Sequence, residues 1–392
     1  MLEKATTSLL AAEARAAGLG GSSGDTPPLA DESSGDTPSF NFSTQQYEEV
    51  RELGRGTYSR ALLLRSLTTG KFAVSKQIWV AGLASDRTEL KRIAREVNIL
   101  ASLDHQNIIG YRGARREGEL LCILTEYAAG GTLRDAINLR RTSEPSDFPI
   151  DLILMWAAEL ACALRVVHGA NVLHRDLKSE NIFLTAAAHI KLGDFGLSRN
   201  INEDGFATTT CGTPYYMAPE QVSRKAYAQP ADVWAYGVVL TEMLTLQRPF
   251  NANSFDDLAR VILTADYDYA TLEQAAHPPS IKRLVTRDAL LQPDPERRMT
   301  LPQMLDVLRG LVVGRHAASS ASDGSGRGAP RLVVTSGALF EMRRVPEVLR
   351  KVQQLIDAQL EGVPEELLLP HSSTAGTAQD EEVEVLLHYP LG

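Results

Sequence analysis

The sequence has few cysteines, and their positions do not suggest a metal site. Its 392 residues include only three, Cys122, Cys162 and Cys211. They lie far apart in the chain and lack the paired spacing by which cysteines bind metal ions. So sparse a set is typical of a protein from a reducing compartment.

Long uninterrupted apolar runs are also missing. The longest apolar stretch, around 150–167, contains Asp151, Glu159 and Arg165, so it predicts a buried amphipathic helix instead of a membrane span. The N-terminus carries two acidic residues and no sustained apolar core, which does not fit a signal peptide. We therefore expect a soluble, cytoplasmic protein without a membrane partner.

Positive charge is not in excess anywhere along the chain. The formal net charge is −9. Acids outnumber bases by four in 1–46 and by five in 331–392, and the two are equal in number in 47–330. A neutral central region with acidic flanks does not favour nucleic acid or an anionic membrane surface as the partner.

Composition divides the chain into four predicted parts. Residues 1–46 are rich in small and polar residues and contain Ser-Ser-Gly-Asp-Thr-Pro twice, which predicts a disordered extension. Residues 47–315 are the predicted folded domain. Residues 316–330 are rich in Ala, Ser and Gly and predict a flexible linker, and 331–392 form a C-terminal tail.

Two motifs in the middle of the chain carry the chemistry of phosphoryl transfer. Residues 174–181 read His-Arg-Asp-Leu-Lys-Ser-Glu-Asn, and Asp-Phe-Gly follows at 194–196. Asp176 can orient and deprotonate an attacking hydroxyl, and Lys178 can neutralise charge on the moving phosphoryl group. Asn181 and Asp194 can hold Mg²⁺ on the nucleotide phosphates.

At this spacing the two motifs resemble those of the eukaryotic protein kinase superfamily, and Lys178 is characteristic of its serine/threonine branch. Residues 191–197 and 212–220 are most similar to the NIMA-related (NEK) kinases. The resemblance covers 47–315. It implies an α+β, bilobal kinase fold with a small β-rich N-lobe, a mainly helical C-lobe and disordered terminal extensions. It also implies ATP and Mg²⁺ as cofactors.

Residues 54–61 read Gly-Arg-Gly-Thr-Tyr-Ser-Arg-Ala between two strand-like segments and match the kinase nucleotide flap. Ser59 replaces the third glycine of the family pattern and Ala61 replaces its valine. The first two glycines approach phosphate most closely, so binding is expected to survive. The resemblance assigns nucleotide binding to Leu53, Gly54, Arg55, Gly56, Thr57, Tyr58, Ser59, Ala61, Val74, Lys76, Thr125, Glu126, Ala128 and Phe183.

Lys76 matches the strand lysine that contacts the α- and β-phosphates. Glu96, on a helix predicted over 88–103, matches the ion-pair partner of Lys76. We therefore group both with Asp176 and Lys178 as catalytic residues. The alternatives are a solvated lysine at a strand end and a surface glutamate.

Thr125 to Ala128 match the hinge, whose backbone groups bind the adenine edge. Thr125 falls at the gatekeeper position, and Gly193 precedes Asp194. Because both residues are small, the space behind the adenine is expected to be open.

Residues 197–217 correspond to the activation segment. Thr209 is the predicted phosphorylation site because it lies four residues before Thr213, which is expected to contact Asp176 unmodified. Arg175 is expected to be a buried guanidinium that holds the phosphate. The alternative is that these threonines are solvated loop residues.

Further residues match structural positions of the family. Asp232 is expected to brace the catalytic loop, and Glu220 and Arg298 to form a buried pair, the alternative being two unrelated surface charges. Glu180 and Glu242 are kept, but Thr132 stands where kinases that prefer basic substrates often place an acid. A strict requirement for arginine upstream of the target is therefore not expected.

From Val345 onward, apolar residues recur at helical spacing, which predicts a short amphipathic helix near 345–360. It either packs on the kinase domain or docks a partner. The sequence does not indicate an oligomeric state.

Two functions remain open. The first is an active kinase that phosphorylates serine or threonine in protein substrates, located at the cytoskeleton, centrosome or cilium by family analogy. The second is a non-catalytic scaffold on a kinase fold, favoured only by Ser59 and Ala61. Scaffolds of this kind typically lack one of the residues that correspond to Lys76, Asp176 and Asp194. All three are present here, so the active kinase is the preferred hypothesis.

Overall fold

The computed structural model describes most of the chain between residues 46 and 322 and short segments near the C-terminus. The described residues are 46–56, 59–80, 97, 100–117, 119–142, 147–194, 214–225, 228–322, 332–333, 339–340, 350–351 and 353–357. Strands come first in the chain and helices dominate after residue 132. The predicted α+β bilobal fold is confirmed.

The small lobe is one antiparallel sheet. Its strands are β1 (Tyr47–Arg55), β2 (Ser59–Ser66), β3 (Phe72–Trp79), β4 (Tyr111–Glu117) and β5 (Leu120–Glu126), in the order β1-β2-β3-β5-β4. The turn between β2 and β3 depends on Gly70, which has a φ of 69°. A residue without a side chain adopts this left-handed conformation at least cost.

The large lobe contains most of the helices of the described residues. They are α1 (Leu133–Arg141), α2 (Ile150–Gly169), α3 (Pro219–Val222), α4 (Gln229–Thr245), α5 (Phe255–Thr264), α6 (Tyr269–Gln274), α7 (Pro279–Lys282) and α8 (Leu301–Ser322). A two-stranded sheet of β6 (Ile182–Leu184) and β7 (Ile190–Leu192) lies between α2 and α3 in the chain. Thr132 caps α1: its side chain accepts from Asp135 N while the Asp135 carboxylate accepts from Thr132 N.

The core of the large lobe is built on α2 and α4, which are buried along nearly their whole length. Aromatic residues with polar atoms fit this core because each finds a backbone partner. The Trp156 indole donates to Ala188 O at 2.6 Å, and the Tyr236 hydroxyl donates to Ala157 O at 2.8 Å. The core therefore holds β6, β7 and the segment that joins them to α2 in place.

The structure adds detail to the predicted C-terminal parts in two places. β8 (Leu332–Val333) pairs with β9 (Leu339–Phe340) inside the predicted tail. Helix α8 runs on through 316–322, the first part of the predicted linker. Three alanines in these seven residues favour the continued helix.

The C-terminal segment packs on the large lobe. Residues 350–351 and 353–357 are helical, and Leu355 and Ile356 are 8% and 0% exposed within the core that contains α2 and α4. Arg309 of α8 lies 3.9 Å from Asp357. The described residues of this helix therefore pack on the kinase domain, which is the first of the two alternatives.

Two further observations concern the described residues as a whole. Their helices include none with the length and apolarity that crossing a bilayer requires. Cys122 and Cys162 are buried, and Cys122 is a free thiol. Burial raises the pKa of Cys122 to about 11, so this thiol stays protonated and unreactive.

Candidate active site

A cleft of about 790 Å³ is bordered by the small-lobe sheet on one side and by α1 and β6 on the other. Most residues assigned to nucleotide binding line this cleft. They are Leu53, Gly54, Gly56, Ser59, Ala61, Val74, Lys76, Thr125, Glu126, Ala128 and Phe183. One wall is therefore strand backbone and apolar side chains, and the far end carries charge.

Strand register explains why these side chains meet. Residues two apart in a strand share a face, so Val74 and Lys76 of β3 point the same way. Val74 pairs with Thr125 across β3 and β5, and Lys76 pairs with Ile123. All four residues line the cleft.

Arg55 does not line the cleft. Its guanidinium forms two hydrogen bonds with the Glu52 carboxylate, at 3.0 and 2.7 Å, on the exposed surface of β1. The Arg55 side chain is thus engaged outside the cleft, and the assignment of Arg55 to nucleotide binding stays a prediction about its backbone. Thr57 and Tyr58 of the same loop lie outside the described residues.

The hinge is tied to the large lobe through Glu126. Its carboxylate accepts from Gly110 N at 2.9 Å and pairs with Lys191 of β7 at 2.7 Å. The Thr125 hydroxyl donates to Glu126 O at 3.3 Å. The carboxylate is thus occupied structurally, and the chemistry left to the hinge is that of its backbone groups.

Gly130 closes the hinge against β6. Its N–H donates to Leu184 O at 2.7 Å, and Leu184 N donates to Gly131 O at 2.8 Å. A Cβ on Gly130 would lie 2.6 Å from Thr185 O. Only glycine permits this approach, which explains the Gly-Gly pair after the hinge.

Lys76 forms an ion pair with Asp194 at the inner end of the cleft. Burial raises the pKa of Asp194, but the charge and hydrogen bond of Lys76 outweigh this effect, so the pKa lies below its usual value. The carboxylate is therefore ionised at neutral pH. A lysine from the small lobe and a carboxylate from the large lobe meet at one point.

The catalytic loop brings three predicted residues together. Lys178 Nζ lies 2.8 Å from Asp176 Oδ2. Asn181 Nδ2 donates to Asp176 O at 2.8 Å and to Asp176 Oδ2 at 3.0 Å. Gly193 N donates to Asn181 O at 3.1 Å, which brings the residue before Asp194 against the same loop.

Asp232 braces the loop from below, as the sequence predicts. Its buried carboxylate accepts from His174 N at 2.9 Å and Arg175 N at 3.1 Å, and contacts His168 Nε2 at 2.8 Å. Burial lowers the pKa of His174, so its ring is neutral. Because a carbonyl only accepts, His174 Nε2 donates to Gly193 O at 3.1 Å.

Gly193 lines the cleft together with Thr125. A Cβ on Gly193 would meet Ile109 Cγ1 at 2.8 Å and Phe183 Cε2 at 2.9 Å, so a larger residue would not fit there. The expectation of an open space behind the adenine stays a prediction. On the Thr125 side, Leu100 and Tyr111 line the cleft.

Several predicted residues lie outside the described part of the chain: Glu96, Thr209 and Thr213. Arg175 is described and is exposed, so the expectation that its guanidinium is buried was wrong. Its backbone is bound to Asp232 while its side chain extends to the surface.

The predicted buried pair is present. Arg298 donates to both oxygens of Glu220, at 2.7 and 2.9 Å, and the two side chains are 0% and 5% exposed. Glu220 lies in α3, directly after the 214–218 segment that ends beside the catalytic loop. The alternative of two unrelated surface charges is excluded.

Sequence reasoning missed part of the site. Ile109, Tyr111 and Asp135 line the cleft, and Lys191 holds the hinge glutamate. Arg134 and Arg248 bind Glu180 and Glu242 beside the catalytic loop. Apart from Lys191, which begins the stretch 191–197, these residues belong to no motif that the sequence analysis identified.

Comparison with known proteins agrees with this geometry. The family described as "Protein kinase domain" matches residues 47–307. Among similar proteins, serine/threonine-protein kinase Nek2 of Homo sapiens is 38% identical over 223 residues, covering 55% of this chain and 49% of that protein. Serine/threonine-protein kinase Nek1 of Mus musculus is 36% identical over 224 residues, covering 57% and 18%.

A probable serine/threonine-protein kinase, nek3 of Dictyostelium discoideum, is 35% identical over 267 residues, covering 67% of this chain and 23% of its own length. The chain thus spans less than half the length of these curated relatives. The similarity concerns the region that contains both lobes and the cleft.

Proposed function

The chain belongs to the protein kinase family and to its NIMA-related branch, and we propose that it transfers the γ-phosphoryl group of ATP to serine or threonine hydroxyls of protein substrates. One observation carries this proposal: Lys76 and Asp194 pair at the inner end of the cleft, and Asp176, Lys178 and Asn181 contact one another in the loop to which Gly193, the neighbour of Asp194, is bonded. Each is the residue type that the reaction requires at that place.

The reaction needs a base, a charge partner and a phosphate anchor. The substrate hydroxyl oxygen bonds to the γ-phosphorus, the bond to the β,γ-bridging oxygen breaks, and ADP leaves. Asp176 orients the hydroxyl and accepts its proton. Lys178, 2.8 Å from that carboxylate, balances negative charge on the phosphoryl group, and Lys76 supplies positive charge to the α- and β-phosphates.

The donor atoms fit a magnesium site. Asn181 uses its amide nitrogen on Asp176, so its carbonyl oxygen is the amide atom that remains for a metal. Asp194 is ionised, and Mg²⁺ prefers oxygen ligands of these two kinds. When bound there, Mg²⁺ would neutralise phosphate charge.

Phosphate transfer from γ-³²P-labelled ATP to a generic protein substrate tests the proposal, with Asp194→Ala as blank. Asp176→Asn is expected to bind nucleotide normally and lose turnover, because the amide cannot accept the proton. Retention of a tenth of the wild-type kcat, a cost of only about 1.4 kcal/mol, would contradict the role of Asp176. If the chain is instead a non-catalytic scaffold, the wild type will transfer no phosphate to the substrate.

The proposal includes a phosphorylation switch in residues 197–217. Thr209 is the proposed site, and Arg175 beside the catalytic base is the proposed phosphate ligand, which its exposed side chain permits. Phosphatase treatment followed by ATP and mass-spectrometric mapping tests the switch. Thr209→Ala should lower activity at least tenfold and Thr208→Ala, the matched control, should not. Full activity of Thr209→Ala without phosphate on 197–217 would contradict it.

Protein substrates are the proposed partners. A cytoplasmic location at the cytoskeleton, centrosome or cilium rests on analogy with the family. Microscopy of a fluorescent fusion of the full chain tests this location directly, and a diffuse signal would contradict it.

A further inference from the structure

Two carboxylates beside the catalytic loop are already paired with arginines of the same chain. Glu180 is partly exposed, and Glu242 of α4 is fully buried. Arg134 of α1 donates Nε to Glu180 at 3.2 Å and also binds Glu242. Arg248 donates Nη2 to Glu180 at 3.0 Å and lies 3.4 Å from Glu242. Two positive charges therefore cancel two negative ones.

Tyrosines hold the arginines in this arrangement. The Tyr216 hydroxyl accepts from Arg134 at 2.5 Å and donates to Glu242 at 2.9 Å. The Arg248 guanidinium lies 4.3 Å above the Tyr215 ring, a favourable cation–π contact. Each arginine thus has at least three partners and is fixed in one position.

This cluster lies within reach of a bound substrate. Asn181, adjacent to Glu180, contacts Asp176 through its amide, so Glu180 lies close to the catalytic base. A residue of an extended peptide spans about 3.3–3.6 Å. Side chains a few residues from the target hydroxyl can therefore approach Glu180. A cleft of about 870 Å³, lined by Arg134, Tyr215 and Arg248, opens beside it.

Two unpaired carboxylates within reach of a bound substrate would select a basic substrate residue. Charge-assisted hydrogen bonds are strong, and complementary charges steer binding. Here the guanidinium groups of the chain occupy both acids. A substrate arginine that reaches Glu180 and Glu242 would meet two carboxylates already paired with guanidinium groups of the chain. It would gain little from these two carboxylates.

We propose that Arg134 and Arg248 fill the position that a basic substrate side chain would otherwise take, so that the kinase has no preference for a basic residue there. This inference rests on the proposed function. It makes Arg134 a specificity-determining residue: its removal should convert an indifferent enzyme into one that favours arginine.

Matched peptides test the proposal. A serine/threonine peptide is prepared with alanine, or with one arginine at each position from four before to four after the target. Wild type should change its kcat/KM by less than about threefold at any position. Arg134→Ala should gain on the order of tenfold at one position, equal to about 1.4 kcal/mol.

Arg141→Ala is the control, because Arg141 lies on the same helix, is exposed and lines the same cleft. It removes an equal charge and should produce no gain at that position. If Arg134→Ala does not fold, as judged by thermal unfolding, Arg248→Ala carries the test, since it uncovers Glu180 and should give a smaller gain at the same position.

The outcomes separate the two proposals. A tenfold preference for arginine by the wild type, or a folded variant with no gain, would overturn the inference and leave the kinase activity intact. Absence of transfer to every peptide by the wild type would instead overturn the proposed function.

Discussion

The buried pair of Arg298 and Glu220 gives the sharpest test of the large lobe. Besides the two hydrogen bonds to Glu220, Arg298 donates to Gln292 O at 2.9 Å and to Pro230 O at 2.6 Å, and it lies 5.2 Å from the centre of the Trp234 ring. Arg298→Ala would remove all these contacts at once. The Glu220 carboxylate would remain buried without a cation.

Breaking a buried ion pair in this way costs about 3–5 kcal/mol. For a domain of this size each kcal/mol lowers Tm by roughly 2–4 °C, so Arg298→Ala should lower Tm by roughly 6–20 °C. Thermal unfolding followed by circular dichroism measures the shift. Replacing both partners with apolar residues, Glu220→Leu with Arg298→Met, should cost less than the single change, because no unpaired charge is left.

Arg297→Ala is the matched control, since this neighbouring arginine is exposed. It should change the free energy of unfolding by no more than about 0.5 kcal/mol. Equal shifts for Arg298→Ala and Arg297→Ala would refute the reasoning, as would a double variant that is less stable than Arg298→Ala alone.

Two other substitutions test the cleft and the C-terminal helix. Thr125→Met should weaken inhibitors that reach past the adenine by about 10–200-fold through steric exclusion, measured as Kd; equal Kd values would mean that the hinge register is wrong. Ile356→Ala should lower the free energy of unfolding by about 2–5 kcal/mol in denaturant titration, because Ile356 is 0% exposed. Arg350→Ala, at an exposed position of the same segment, is its control and should change the free energy of unfolding little. A loss for Ile356→Ala no larger than that for Arg350→Ala would show that the segment does not pack.

Residues whose chemistry leaves no choice of type could be predicted from the sequence. The motifs identified Asp176 as the base, Asn181 and Asp194 as the metal-binding pair, and Lys76 as the phosphate-binding lysine. The structure pairs Lys76 with Asp194, and Asn181 with Asp176. The α+β fold was predicted from the family resemblance that these motifs carry.

Contacts between distant residues that belong to no motif could not be predicted. Arg134 and Glu242 are 108 residues apart, and Arg248 and Glu180 are 68 apart. In the sequence, an isolated arginine on a helix cannot be told from a solvated surface charge, because the residues next to it in the chain give no indication of its partner. At Gly193 the sequence reveals the missing side chain, but only the packing of Ile109 and Phe183 shows that a larger residue would not fit there.

The position of the catalytic base depends on groups that the reaction does not touch. Arg175, directly before Asp176, has a φ of 66°, and Asp194 has a φ of 57°, conformations that cost about 1–3 kcal/mol for residues with side chains. Asp232 offsets this cost at Arg175, because hydrogen bonds to a charged group contribute about 1.5–3 kcal/mol each. The His174 ring donates Nε2 to Gly193 O and so holds the residue before Asp194 against the same loop. The loop is therefore held in its strained conformation by the core of the large lobe before any substrate binds, so its polar groups need no reorganisation when charge develops.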